Sequence, residues 1–251
     1  TRNGRDFDYL ASHLASTQPV RVISVDIAGR GLSDRLVNPA DYNYATYVQD
    51  MLALLAHLGV GMVDWVGTSM GGLTALFLQQ AAPGIIKRLV LNDIGPHLPS
   101  TSLKRIARGL DNVHTFSDAK QAMAKFRSML ALFGVKEEEH WQHLFRHSLV
   151  RDKEGNYIFH FDPRIRKSTF SADVEKIVDV ELWPTWEMAL SIPTLIIRGT
   201  ESDILLPTTA KRMVEQHNKA QLVEFPGVGH APALMDAEQT KMIGDWLKSV
   251  S

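Results

Sequence analysis

Gly67-Thr68-Ser69-Met70-Gly71 is the stretch of this sequence whose residue types and spacing most directly suggest chemistry. An apolar run, Met62 to Val66, precedes it. Leu73 to Ala82 follows with helical character and is stopped by Pro83. A serine in a tight turn between a strand and a helix is held in a strained conformation with its hydroxyl exposed as a nucleophile. The glycines are expected there because side chains at the flanking positions would clash. A phosphate cradle with G-x-x-x-x-G-K spacing from Gly67 would need a lysine after Gly72, and Leu73 stands there instead.

A serine hydroxyl is a weak nucleophile near neutral pH and needs a base. His230, in Gly227-Val228-Gly229-His230-Ala231-Pro232, follows the last apolar strand and lies in a glycine-flanked loop near the C-terminus. It is the expected base. The acid that orients it should lie in a loop after an earlier strand. Asp203, in Gly199-Thr200-Glu201-Ser202-Asp203, is the first choice. Glu201 is its local competitor. Asp93, just after another core strand, is the topological one; there its carboxylate could instead satisfy the amides of Ile94 and Gly95.

These residues need a frame. Phe7, Leu10 and Leu14 have helical spacing, and Val20 to Val25 reads as a strand. Residues 44–58 read as a helix with Val48, Met51, Leu52, Leu55 and Leu58 on one face, and Gly59 fits its C-terminal cap. Met62–Val66 and Arg88–Asn92 are strands. The rhythm of strand and helix argues for a parallel sheet with crossover helices. It breaks at about residue 94 and resumes with Pro193–Arg198, a helix opening at Pro207, a strand over Leu222–Phe225 and a last helix from about Asp236. Asp236 and Gln239 have the spacing of a capping box. The expected division is a core of residues 1–93 and 188–251 with a mostly helical insertion over 94–187, turning once at Asp152–Asn156. That insertion holds 11 of the 20 aromatic residues. They could fill its own core, line an apolar substrate pocket, or do both. Trp183 and Trp186 are expected near such a pocket.

Composition narrows the function classes. Hydrophobic residues make 45% and charged residues 22% of the 251, which suits a globular domain. Lys plus Arg number 27 against 28 for Asp plus Glu, so there is no basic excess for nucleic acid. No apolar run approaches the ~20 residues of a membrane span. There is no cysteine, which excludes disulfides, thiolate catalysis and Cys-based metal sites. No dinucleotide fingerprint and no metal cluster is legible, so no cofactor is expected.

Taken together, these motifs resemble the α/β-hydrolase family. Asp26-Ile27-Ala28-Gly29-Arg30-Gly31-Leu32-Ser33 resembles its D-x-x-G-x-G-x-S loop. The Ser69 turn, Arg198-Gly199 to Asp203, and Gly229-His230 resemble three further signatures, and the insertion resembles the family's helical lid. The resemblance implies an α/β fold with a mostly parallel sheet flanked by helices and an inserted cap. It implies a serine hydrolase with Ser69 as nucleophile, His230 as base, Asp203 as acid and the Met70 N–H as an oxyanion donor. Thr1–Phe7 looks like the tail of the loop that carries the second donor, so that donor and the family's first strands are expected to precede residue 1. The expected substrate is a small ester or lactone; the rivals are carbon–carbon bond hydrolysis by the same residues and a ligand receptor on a hydrolase scaffold. A cytoplasmic location is the expectation, and no oligomeric state is implied.

Overall fold

The chain was analysed as a computed structural model, which describes residues 1–111, 115–170 and 172–250. Among the described residues the strands are β1 (Val63–Thr68), β2 (Ile86–Asn92), β3 (His97–Leu98), β4 (Leu149–Arg151), β5 (Tyr157–Phe159), β6 (Val180–Glu181), β7 (Thr194–Gly199) and β8 (Ala220–Phe225). The helices are α1 (Asp8–Thr17), α2 (Tyr44–His57), α3 (Met70–Ala81), α4 (Ser100–Asp111), α5 (Ala119–Met129), α6 (Glu138–Ser148), α7 (Ile165–Thr169), α8 (Trp183–Glu187), α9 (Pro207–Gln216) and α10 (Ala237–Ser249).

The four longest strands form one parallel sheet in the order β1-β2-β7-β8. Their composition explains this. Leu89, Val90 and Leu91 of β2 have no exposed area, and all six residues of β7 are buried. Near-continuous apolar strands of this kind need cover on both faces, as crossover helices provide. β2 and β7 are neighbours, with Asn92 opposite Ile197. The long segment between them is therefore an insertion between adjacent strands.

Two compact units divide the chain. One comprises Asn43–Arg105, Glu175–Pro232 and Trp246–Ser251 and holds the parallel sheet. The other comprises Thr1–Tyr42, Ile106–Val174 and Ala233–Asp245. These boundaries differ from the 94–187 division expected from sequence, because residues 1–42 and 233–245 belong to the same unit as 106–174. In that second unit Phe126, Leu130, Trp141, Leu144 and Met235 share an apolar cluster, so part of the insertion's aromatic content serves its own core. Asp152–Asn156 closes a hairpin of β4 and β5, with Gly155 at φ 86°. The segment is thus less uniformly helical than its periodicity implies, and β3 and β6 add an antiparallel pair.

Local signals mostly translate directly. Asn43 caps α2 by accepting from the Thr46 N–H, and Gly59 follows with φ 65°. Asp236 accepts from the Gln239 N–H at 2.8 Å, but Gln239 Oε1 has no partner among the described residues, so the cap is one-sided rather than a reciprocal box. Val20–Val25 does not form a strand. It pairs with no strand among the described residues, and Val20 and Ile23 are 42% and 44% exposed. Alternation alone cannot make a ladder. The Asp26–Ser33 loop is held by its own motif. The Asp26 carboxylate accepts from Gly4 N and Leu32 N at 2.7 Å each, and Ser33 Oγ donates to Asp26 O. A Cβ on Gly31 would lie 2.2 Å from that carboxylate.

Candidate active site

Ser69 joins β1 to α3 with φ 51° and ψ −116°, a backbone conformation that L-residues rarely adopt. The turn is over-determined. Ser69 N donates to Asn92 O at 3.0 Å, Trp65 Nε1 donates to Gly71 O at 3.0 Å, and Ser69 O accepts from Gly72 N and Leu73 N. A Cβ on Gly67 would sit 2.4 Å from the Gly71 carbonyl carbon, and one on Gly72 would sit 2.5 Å from Ile94 Cγ2. At Gly71 the space is open. Steric necessity therefore falls on Gly67 and Gly72, not on the second glycine of the five-residue pattern. The Ser69 side chain makes no capping bond to α3. Its Oγ instead lies 3.0 Å from His230 Nε2.

The other face of the imidazole meets Asp93. His230 Nδ1 is 2.7 Å from Asp93 Oδ2, with the Asp93 side chain fully buried. A carboxylate acceptor at Nδ1 puts the proton there and leaves Nε2 as the acceptor for the Ser69 hydroxyl. Asp93 itself has φ 56° and a backbone N–H bonded to Ile197 O. Its Oδ1 accepts from Gly199 N at 3.0 Å, and its Oδ2 also accepts from Ser202 Oγ at 2.5 Å. The His230 loop is fixed from two sides. Asn92 Nδ2 donates to Pro232 O and to Thr68 Oγ1, and a Cβ on Gly199 would lie 2.3 Å from Val228 O. Gly199 is needed for this close approach.

Asp203 is the sequence expectation that the structure corrects. Its carboxylate forms a two-pronged ion pair with Arg105, at 2.7 Å to both Nε and Nη2, and 45% of its side chain is exposed. Burial pulls its pKa upward, but the hydrogen bonds and charge of Arg105 outweigh this and hold it below the usual carboxylate value. Glu201 is exposed, and its carboxylate accepts from Thr200 Oγ1 at 3.3 Å. The group brought to His230 is Asp93, which bonds the Gly199 amide rather than those of Ile94 and Gly95. The signal for it in the sequence was its place directly after a buried strand.

A protein family described as having the alpha/beta hydrolase fold matches residues 2–236. The chain belongs to that family. It is a hydrolase of this fold and is 37% identical over 247 residues to the 3-hydroxybutyrate-oligomer hydrolase of Cupriavidus necator, covering 95% of this chain and 82% of that one. It is 30% identical to the 2-hydroxymuconate semialdehyde hydrolase of Pseudomonas sp. strain CF600, covering 90% and 76%. The crystal structure of an alpha/beta hydrolase from Novosphingobium aromaticivorans superposes with a TM-score of 0.87 at 31% identity, covering 99% and 86%.

In this alpha/beta hydrolase, both tryptophans expected near a pocket pack against neighbouring side chains. Trp186 has no exposed area and packs its ring 5.5 Å from that of His217, so it is a core residue. Trp183 lies under Arg212, whose guanidinium carbon is 3.6 Å from the ring centroid. Metal-ligand types gather once among the described residues, at Asp8, His143 and His147. There Arg5 Nη2 is 2.8 Å from Asp8 Oδ2, and His143 Nε2 is 2.8 Å from Arg5 O, so both groups already have protein partners. No helix among the described residues is long and apolar enough to cross a membrane.

Proposed function

We propose that this chain is a serine hydrolase that cleaves a small carboxylic ester through an acyl-enzyme intermediate, with Ser69 as nucleophile, His230 as base and Asp93 as acid. The observation that carries this reading is the His230 ring spanning Ser69 Oγ at 3.0 Å and Asp93 Oδ2 at 2.7 Å. His230 Nε2 takes the hydroxyl proton as Ser69 Oγ bonds the carbonyl carbon. Asp93 stabilises the imidazolium that forms. The Met70 N–H, at the amino end of α3, is the oxyanion donor that this reading assigns, where the helix dipole favours negative charge. His230 returns the proton to the leaving alkoxide as the carbon–oxygen bond breaks. Water then attacks the acyl-serine, giving its proton to His230; the bond between the acyl carbon and Ser69 Oγ breaks, Oγ takes that proton back, and the acid is released.

The relative at 37% identity suggests the substrate class, a short oligomer of a hydroxy acid joined by ester bonds. A lactone, an internal ester, requires the same steps. The insertion over 94–187 is assigned the role of a cap that selects the acyl portion, because it lies between two adjacent strands and directly follows Asp93. The relative at 30% identity favours a second reading, hydrolysis of a carbon–carbon bond by the same three residues.

The test is labelling by a fluorophosphonate probe, followed by turnover of a panel of simple esters, 3-hydroxybutyrate oligomers, lactones and a dienoate. Labelling of the parent protein but not of Ser69→Ala, with turnover of esters, is the expected result. Turnover of the dienoate alone would transfer the assignment to the second reading. Absence of labelling and of all turnover, with tight binding of a ligand, would favour a receptor.

A further inference from the structure

Ser202 makes a contact with the acid that the reaction scheme above does not use. Its Oγ donates to Asp93 Oδ2 at 2.5 Å, the same oxygen that meets His230 Nδ1. As a hydroxyl it has one proton to give and two lone pairs to fill. Those lone pairs face Ile204 N and Leu205 N, each at 3.2 Å. The hydroxyl proton therefore has one direction open to it, toward the carboxylate. The side chain is buried, with Ser202 6% exposed and Asp93 fully covered, so water does not compete for this bond.

The loop that carries Ser202 is itself fixed. Arg198, 4% exposed, donates Nε to Leu205 O at 2.7 Å and Nη2 to Thr200 O at 3.1 Å, closing residues 200–205 like a clasp. Its Nη1 is anchored on Glu224 Oε1 at 2.6 Å. On the outer side, Ser102 Oγ donates to Asp203 O and Arg105 holds the Asp203 carboxylate. Gly199 N, at the start of the loop, grips the second Asp93 oxygen. One short loop thus supplies two donors that set the rotation of the Asp93 carboxylate about its own axis.

We propose that Ser202 is a positioning residue that acts through Asp93, fixing the carboxylate so that Oδ2 stays in line with His230 Nδ1. This rests on the serine-hydrolase reading. The loop expected from sequence to supply the acid supplies that acid's hydrogen-bond donors instead. Without the Ser202 hydroxyl the carboxylate keeps, among the described residues, Gly199 N and His230 as fixed donors. It can then turn away from the imidazole, and the imidazolium formed during attack is less well stabilised.

Ser202→Ala tests this. kcat should fall roughly 10–100-fold, the range expected for loss of a hydrogen bond to a charged group, with KM within about twofold. The His230 Nδ1 proton gives an independent readout, since its downfield nuclear magnetic resonance signal reports the bond to Asp93. That signal should shift in Ser202→Ala. A parental kcat, or a fall in kcat with the Nδ1 signal unmoved, would overturn the proposal. If Ser202→Ala does not fold, Ser202→Cys decides, because a thiol has nearly the same shape and is a weak donor. A drop in kcat with a shifted signal supports the role, and parental behaviour removes it. Ser69→Ala is run beside them. Turnover by that variant would mean that the hydrolase reading has failed, whatever Ser202 does.

Discussion

Asp93 and His230 meet at 2.7 Å although 137 residues separate them in sequence. The contact joins the end of β2 to the loop after β8, and it places Asp93 where Asp203 was expected. Asp93→Asn should therefore lower kcat by up to about 10⁴, because an amide in place of the carboxylate favours the wrong imidazole tautomer. Asp203→Asn should change kcat by no more than a few-fold, since it removes only one side of a half-exposed ion pair with Arg105. Steady-state kinetics on the two variants, with circular dichroism to check folding, decides between them. A larger loss in Asp203→Asn would reverse the assignment.

The nucleophile and base should behave as one unit. Ser69→Ala and His230→Ala are each expected to lower kcat by roughly 10³–10⁶, and the double variant should lose little more. Single-variant losses that multiply in the double variant would show that the two groups act separately, against the 3.0 Å contact between them.

What the sequence made legible is what short stretches of chain decide. The Ser69 turn needs glycine at Gly67 because of backbone only a few residues away. The caps at Asn43 and Asp236 reach three residues, and Gly59 follows its helix directly. The acid was different. Asp93 and Asp203 both follow strands, and those strands, β2 and β7, are neighbours in the sheet. Both loops thus open at the same edge, and residue type cannot rank them. The deciding partners are remote. Arg105, 98 residues from Asp203, takes that carboxylate, while Gly199 and Ser202 turn Asp93 toward His230. Val20–Val25 shows the converse case, a strand-like pattern with no ladder partner among the described residues.

The glycines of the turn should separate by substitution. Gly67→Ala places a Cβ 2.4 Å from the Gly71 carbonyl carbon, which cannot move without disturbing α3. A large loss of soluble, folded protein is expected. Gly71→Ala meets open space at a helical position, where alanine is favoured over glycine by about 1 kcal/mol. Its melting temperature should hold or rise. Melting curves that rank the two the other way would contradict the close packing of the turn.

Stability should also depend on pH through His217, a histidine outside the reaction. It is 1% exposed, with Nε2 donating to Ile192 O at 2.8 Å and Nδ1 accepting from Lys219 N at 3.2 Å. Both ring nitrogens are thus used by the neutral form, and protonation would turn Nδ1 into a donor facing another donor. Burial lowers its pKa most; the backbone carbonyls of Ile192 and Ala189 oppose this, and Lys219 adds to it. The sign follows from proton counting. Above about pH 6.5, the ordinary histidine value, neither state binds a proton at this site and its contribution is complete. Below that value the unfolded chain takes up the proton first, so stability falls as pH drops toward the lowered folded-state pKa, and then levels off. His217→Gln removes the titration. Urea unfolding at pH 8 and at pH 5.5 should show the parent losing more stability between the two than the variant does. Equal losses in both proteins would mean that His217 is not held neutral in the folded chain.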